Sequence, residues 1–293
     1  MTKPYVYVEN IARRHRVRGG APELVVFENL GFGVERGEFV TLIGHSGCGK
    51  STILNILAGL DAPSEGYVYV AGKVVTGPGL SRGVIFQNHS LLPWLSALGN
   101  VMFSVRARHP DWSRARVREH SLDYLRKVGL EAAADRRPAQ LSGGMRQRVG
   151  IARAFAIEPA MLLMDEPFGA LDALTRASIQ DQLLEICEQT GQTVIMITHD
   201  VDEALYLSDR ILVMSDGPNA RIAETVAVDL GRPRDRAELA RSPRYHALRA
   251  HLLDFLTHAT PRKRDASTGV AGGDAHAAEL APASAVRMER EAS

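Results

Sequence analysis

The chain has 293 residues, 45% hydrophobic and 24% charged, an ordinary globular composition with room for one large α/β domain or two small ones. Its formal net charge of +1 excludes a global field that would draw it to nucleic acid or to an anionic membrane surface. No apolar run approaches the ~20 residues of a spanning helix, the N-terminus shows no basic-then-apolar leader pattern, and Cys48 and Cys187 are expected to be reduced, as in a cytoplasmic protein.

In chain order, Tyr5 to Val8, Leu24 to Phe27 and Glu38 to Ile43 read as strands, rich in β-branched and aromatic residues. The basic cluster Arg13, Arg14, Arg16, Arg18 reads as a solvated loop. "GHSGCGKS" (44–51) then matches the phosphate-loop pattern G-x-x-x-x-G-K-[ST] in full. It follows the strand Phe39 to Ile43 and opens a helix with Ile53, Ile56, Leu57 and Leu60 on one face. Such glycines let backbone N–H groups close on phosphate oxygens at a helix N-terminus. Lys50 would reach the β- and γ-phosphates, and the Ser51 hydroxyl would ligate Mg²⁺. "YVYVAGKVV" (67–75) reads as a hairpin around Ala71-Gly72. "GVIF" (83–86) is a short strand ending at Gln87, whose amide oxygen can touch Mg²⁺ or a water.

From about 95 to 150 the pattern turns helical, with Leu122, Leu125, Val128 and Leu130 near helical spacing. Within this insert, "QLSGGMRQR" (140–148) is a second glycine-rich loop running into a helix. Ser142 can cap that helix, Met145, Val149, Ala152 and Ala156 form its inner face, and the helix end is suited to an anion. No Lys-Ser follows these glycines, and the insert separates them from Lys50. A second copy of the domain, turned head to tail, would supply the phosphate they lack.

"AMLLM" (160–164) and "TVIMIT" (193–198) are continuous apolar runs, as expected of parallel strands covered on both faces. The amphipathic "LTRASIQDQLLEICEQT" between them suits a crossover helix. "MLLMDEP" delivers Asp165 and Glu166 to the carboxyl edge of the sheet, where ligands bind. Asp165 is placed to hold Mg²⁺ or its water, and Glu166 to orient or deprotonate an attacking water. "TVIMITHD" brings His199 to the same edge as a γ-phosphate contact and water positioner. "GRPRDR" (231–236) breaks structure. Ser242-Pro243 then starts a terminal helix with Leu248, Leu252, Phe255 and Leu256 on one face. Residues 259–293 are dominated by Ala, Gly, Ser and charge, and are expected to form a disordered tail.

In order and spacing these residues resemble the nucleotide-binding subunit of ABC transporters, over about residues 5 to 215. Gly44, His45, Ser46, Gly47, Cys48, Gly49, Lys50 and Ser51, with Thr52 following, match Walker A. Gln87 matches the Q-loop, Leu141 to Gln147 the signature motif, Asp165 and Glu166 Walker B and its catalytic glutamate, Leu171-Asp172 the D-loop, and His199 the switch histidine. The resemblance implies an α/β P-loop NTPase core with a mixed sheet, an N-terminal antiparallel β-subdomain and an inserted α-helical subdomain, together forming one ATP-binding domain over 1–258. It implies ATP and Mg²⁺ as cofactors. It implies a sandwich dimer in which Ser142, Gly143, Gly144 and Asp172 serve the partner's nucleotide. The adenine-stacking aromatic of the family aligns here with His15. That is a departure, since stacking on a full aromatic is worth about 1–3 kcal/mol and imidazole gives less.

The implied partners are a second ATP-binding subunit (identical or not), transmembrane permease subunits and a periplasmic solute-binding protein, with no nucleic acid. The implied location is the cytoplasmic face of the inner membrane. "FQNHSLLPWLSALGNV", "DEPFGALDALTR" and "THDVDEALYLSDRILVMSDGP" are similar to the nitrate/sulfonate/taurine importer group. "DVDEAL", "LSDR" and "RPRDRAEL" lean toward its nitrate/nitrite/cyanate/bicarbonate branch. That branch sometimes fuses a solute-binding domain to one ATPase subunit, and this chain is expected to carry none. Nitrate leads as the transported solute, with alkanesulfonate or taurine as the alternative. A soluble ABC ATPase acting on nucleic acid or ribosomes is the distant one, disfavoured by a single Walker A and the lack of basic charge. In "SLLPW" (90–94), Leu91, Leu92 and Trp94 read as core or as a groove for a coupling helix of the permease, with Trp the usual kind of anchor.

Overall fold

The computed structural model describes residues 3–15, 23–88 and 90–258. The tail expected at 259–293, and Arg16 and Arg18 of the basic cluster, lie outside these residues.

Strands β1 (Val6–His15) and β2 (Leu24–Val34) pair antiparallel, each longer than its apolar pattern alone predicts. β4 (Glu65–Val70) pairs with β1, and β5 (Lys73–Val74) closes a hairpin on β4. Ala71 and Gly72 sit between them at φ 50° and 76°, the left-handed pair that a two-residue hairpin turn requires. Val6, Val8, Val68 and Val70 turn inward while Tyr7 and Tyr67 face out, the period-two alternation of a half-buried sheet. Arg13 and Arg14 are not simply solvated: Arg13 bonds the Ala62 carbonyl and Asp61, and Arg14 pairs with Glu65.

The second sheet is built on apolar strands buried on both faces. Its order is β10-β9-β3-β8-β7-β6, with β3 (Phe39–Ile43), β6 (Arg82–Ile85), β7 (Met161–Asp165), β8 (Thr193–Ile197), β9 (Arg210–Met214) and β10 (Ile222–Ala227). β6 to β9 and β3 run parallel, and β10 is antiparallel to β9. The last two strands were not anticipated, although "RILVM" has the apolar run of a buried strand. The mixed sheet and the separate antiparallel sheet agree with the expected architecture.

α1 (Lys50–Ala58) lies in the core between the two sheets: Ile53, Leu54, Ile56 and Leu57 are buried with Val6, Phe27, Leu163 and Ile195. Nine residues make a marginal helix alone, so this burial, roughly 1.5–3 kcal/mol per large apolar side chain, holds it. Leu60 does not belong to that face. Gly59, at φ 77°, ends the helix before it, and Leu60 is 51% exposed. The helical insert comprises α2 (Ala97–Arg108), α3 (Arg114–Lys127) and α4 (Gly143–Phe155). Each is capped by a serine, Ser96, Ser113 and Ser142, whose hydroxyl accepts a bond from a backbone N–H of the first turn.

The insert packs through Val101, Val105, Leu125 and Val149 on the core that also holds Ile179 and Leu183 of α5 (Ala173–Thr190). α6 (Val201–Leu207) and α8 (Pro243–His258) cover the far end of the sheet, and the short α7 (Arg236–Leu239) leads from β10 into α8. Leu248 and Leu252 of α8 are buried and Phe255 and Leu256 pack beside them, as their spacing predicts. Among the described residues no helix is long and apolar enough to cross a membrane.

Candidate active site

The 44–49 loop leaves β3 at the middle of the mixed sheet and enters α1. Gly49 caps α1 at φ 96° with no side-chain cap bond, so the first N–H groups of the helix have no side-chain acceptor and remain open to an anion. A β-carbon at Gly49 would fall 2.8 Å from Val26 Cγ1 and 2.9 Å from Phe27 Cδ1. The β1–β2 sheet thus presses directly on the loop. Lys50 folds back inside it, donating to the Gly44 carbonyl at 2.7 Å and the His45 carbonyl at 2.8 Å. Cys48 is fully buried beneath, its Sγ 3.8 Å from Lys50 Nζ. Burial pushes its thiol above the ordinary range, against the pull of Lys50, which makes it a packing group and not a thiolate. Ser46 and Gly47 are exposed at the loop's crown, and Thr52 is half-buried. His45 reaches away from the crown to the Leu256 carbonyl of α8, 2.7 Å from its Nε2.

Three adjacent strand ends complete the site. β7 ends at Asp165, whose carboxylate faces the Ser51 hydroxyl and the Lys50 charge. Burial raises the Asp165 carboxyl, Ser51 and Lys50 lower it, the Glu166 charge raises it, and the net is upward. Glu166 follows at φ 46°, a left-handed backbone costing on the order of 1–3 kcal/mol for such a residue. Its N–H donates to the Ile197 carbonyl at 2.9 Å, so the turn is pinned to β8. The Glu166 carboxylate accepts a bond from Gln87 Nε2 at 2.9 Å, and its other oxygen lies 3.3 Å from His199 Nδ1. Gln87 comes from the end of β6, and His199 from the end of β8.

Lys50, Ser51, Asp165, Glu166, Gln87 and His199 are therefore one constellation. Gln87 stands with its amide nitrogen on Glu166 rather than with its oxygen on Asp165 or Ser51. Ser142, Gly143 and Gly144 are not part of that constellation. The Ser142 hydroxyl accepts from Met145 N at 3.2 Å. Gly144 lies against Leu171 and Ala170, where a β-carbon would come within 3.3 Å of Leu171 Cδ2. Gln147 of α4 donates to the Pro167 carbonyl at 2.7 Å. The second glycine loop thus rests on the segment that follows Glu166. Asp172 in that segment caps α5, accepting from Thr175 N at 3.0 Å. Backbone and side-chain bonds from Thr175 hold its carboxyl below the ordinary range. His15 ends β1 opposite Leu24, exposed, two residues beyond Arg13, which pairs with Phe27.

The residue pattern did not reveal the support beneath His199. Thr198 Oγ donates to Glu203 Oε2 at 2.7 Å, and the Asp200 N–H donates back to Thr198 Oγ at 3.1 Å. Glu203 is buried, and that burial raises its carboxyl above the usual range. The available signal was its position: four residues after His199, on the same α6 face as the buried Ala204 and Leu207.

Comparison with known proteins agrees with this geometry. Residues 27–169 match the family model described as ABC transporter. The nitrate transport protein NasD of Klebsiella oxytoca is 47% identical over 261 residues, 89% of this chain and 99% of its own. The bicarbonate transport ATP-binding protein CmpD of Synechocystis sp. is 48% identical over 255 residues, 87% of this chain and 90% of its own. Among solved structures, the dimeric ATP-binding cassette MJ0796 in a post-hydrolysis state with ADP and Pi superimposes with a TM-score of 0.71 at 33% identity, covering 76% of this chain and 98% of that one. A chain that is nearly half identical to NasD and CmpD over almost their full length, and carries a phosphate loop facing a glutamate–histidine pair, belongs to the ABC transporter family as an ATP-binding, ATP-hydrolysing subunit.

Proposed function

We propose that this chain energises an importer of a small inorganic anion, nitrate first, with nitrite, cyanate or bicarbonate as the chemically related solutes. The observation that carries the hydrolytic reading is the Glu166 carboxylate, held between Gln87 and His199 beside the open N-terminus of α1. In this reading the loop N–H groups and Lys50 bind the ATP phosphates. Glu166 takes the proton of the attacking water, and its two partners orient it. His199 faces the γ-phosphate, with its ring 71% exposed and so accessible to a ligand. Ser51 and Asp165 would hold Mg²⁺. A hydroxyl beside a half-buried carboxylate whose desolvation is only partly offset by Lys50 matches the sparse oxygen donor set of a Mg²⁺ that keeps its waters and phosphate ligands. Gln87 would join them by turning its amide oxygen inward. Such a metal supplies charge stabilisation for the transferring phosphoryl group.

The anion assignment rests on the similarity to NasD and CmpD and on the shared motifs, since nothing in the constellation contacts a transported solute. Ser142, Gly143, Gly144 and Asp172 serve the nucleotide of a second ATP-binding subunit, which accounts for their standing apart from Lys50. Permease subunits dock on the surface of α2 and its approach. There Trp94 is 67% exposed and Phe103 59% exposed, which favours the groove over the core reading of "SLLPW". A solute-binding protein acts through that complex, and the subunit works at the cytoplasmic face of the inner membrane. ATPase activity of the complex in proteoliposomes, titrated with nitrate, bicarbonate and taurine in turn, tests the assignment. Stimulation by nitrate or bicarbonate is expected. Stimulation by taurine alone would move the chain to the sulfonate importers, and turnover indifferent to every anion would refute the importer reading.

A further inference from the structure

The geometry points to Arg176 as a positioning residue that ties the Leu171-Asp172 loop to His199, so that the partner-facing loop and the γ-phosphate histidine move as one. This rests on the reading of His199 given above. Arg176 lies in the first turn of α5, its N–H bonded to the Asp172 carbonyl at 2.8 Å. Its guanidinium spreads over three groups. Nη2 donates to the Leu171 carbonyl at 3.2 Å. Nη1 lies 3.7 Å from Asp200 Oδ2, and Nε lies 3.8 Å from Glu203 Oε1. Asp200 and Glu203 are the two groups that fasten Thr198, and Thr198 and Asp200 flank His199 in the chain. His199 itself is largely exposed, so its position is set through its neighbours more than by packing on its ring.

Two further facts favour a coupling role over plain structural glue. The Arg176 Nε is buried and makes no hydrogen bond, an uncompensated donor that one short movement toward Glu203 would satisfy. Glu203 also has a second support: Gln180 donates to its Oε1 at 3.2 Å and is itself bonded by Arg236 at 2.9 Å. Glu203 therefore stays satisfied without Arg176, whereas the link from Leu171 to Asp200 and Glu203 runs through the guanidinium. A planar fork suits such a three-way contact, and a lysine ammonium does not reproduce it.

The test is a kinetic cycle in the full-length chain: Arg176→Met, Arg176→Lys, His199→Ala and the two double variants. Arg176→Met is expected to lower kcat for ATP about tenfold to a hundredfold, the scale of a misplaced catalytic group. KM for ATP should hold within about twofold, since ground-state binding is untouched. Arg176→Lys should recover part of kcat at an unchanged melting temperature. In the His199→Ala background neither Arg176 substitution should slow turnover further, because residues acting as one unit are not additive. Independent, multiplying losses would overturn the inference while leaving the role of His199 intact, as would a raised KM with normal kcat. If His199→Ala itself turned over normally, the reading of His199 would fail and this inference with it. Should Arg176→Met fail to fold, Arg176→Lys alone carries the cycle with the same outcomes.

Discussion

The loops at 44–52 and 140–148 share a composition, glycines running into a helix, and use it in opposite ways. In the first, Gly44, Gly47 and Gly49 all have φ between 84° and 155°, so glycine is there for the backbone. The helix it opens has no side-chain cap, and Lys50 folds inward. In the second, Gly143 and Gly144 open a helix that Ser142 caps with its own hydroxyl, and neither glycine has a positive φ. There glycine keeps the surface low: a β-carbon at Gly143 would meet only Arg146 Nη2 at 4.0 Å, and one at Gly144 would touch Leu171. One loop is a finished nest for phosphate. The other is an approachable face with its helix end already partly satisfied, which suits a ligand held mainly by another molecule.

The comparison breaks most visibly at the group that needs both loops in place. Glu166→Gln should slow ATP turnover by on the order of 10²–10⁴ and let an ATP-bound dimer accumulate. Turnover rates and size-exclusion with ATP check this, and an unchanged rate removes Glu166 from the chemistry. Ser142→Arg comes next. It should cut turnover by about 10², as for loss of an anion-stabilising donor, and prevent ATP-driven dimerisation, while ATP binding to the isolated chain stays within about twofold of normal. Equal loss of binding and turnover would put Ser142 in the same site as Lys50 and collapse the distinction.

One substitution made in both loops sharpens the contrast further. Gly49→Ala forces an alanine to φ 96° against Val26 and Phe27, a strain of about 1–3 kcal/mol. Melting should fall by roughly 2–4 °C per kcal/mol, together with ATP affinity. Gly143→Ala should instead leave melting unchanged or raise it slightly, because alanine is favoured over glycine in a helix by about 0.5–1 kcal/mol. The smallest effect concerns the two caps. The carboxyl of Asp172 is depressed in the folded state by Thr175, so the unfolded chain takes up its proton first as pH falls. The stability it adds is present above about pH 3.9, the unfolded value, and disappears as pH drops through the folded one. Asp172→Asn keeps a capping oxygen and should flatten that part of the acid melting profile. Ser142→Asn should not alter the pH dependence.

Much of the site was legible in the sequence because strand ends and helix starts obey local rules. The G-x-x-x-x-G-K-S spacing, the apolar strands ending in Asp165-Glu166 and in His199, and the serine caps each follow from a short stretch. Leu60 misled because a left-handed Gly59 ended the helix that its spacing continued. β9 and β10 escaped even though Asp216-Gly217-Pro218 marks a turn between them: "IAETVA" is half polar and finds its place only by pairing with β9. The network of Arg176, Thr198, Asp200 and Glu203 escaped for a deeper reason: Thr198, Asp200 and Glu203 are near neighbours in the chain, but Arg176 reaches them from a different helix, α5.

By itself, then, the sequence determined most of the central strands, the helix N-terminus left open by its glycine cap, and which polar side chains stand at the strand ends, since all of these are set within a few residues of backbone geometry. Only the tertiary structure decided that Gln87, Glu166 and His199 meet at one carboxylate, that Ser142 to Gly144 rest against the 167–171 segment and not against Lys50, and that a buried glutamate supports the histidine. Those outcomes depend on strand order and burial: the first two bring residues of separate elements together, and the third needs the burial that turns Glu203 inward under Thr198.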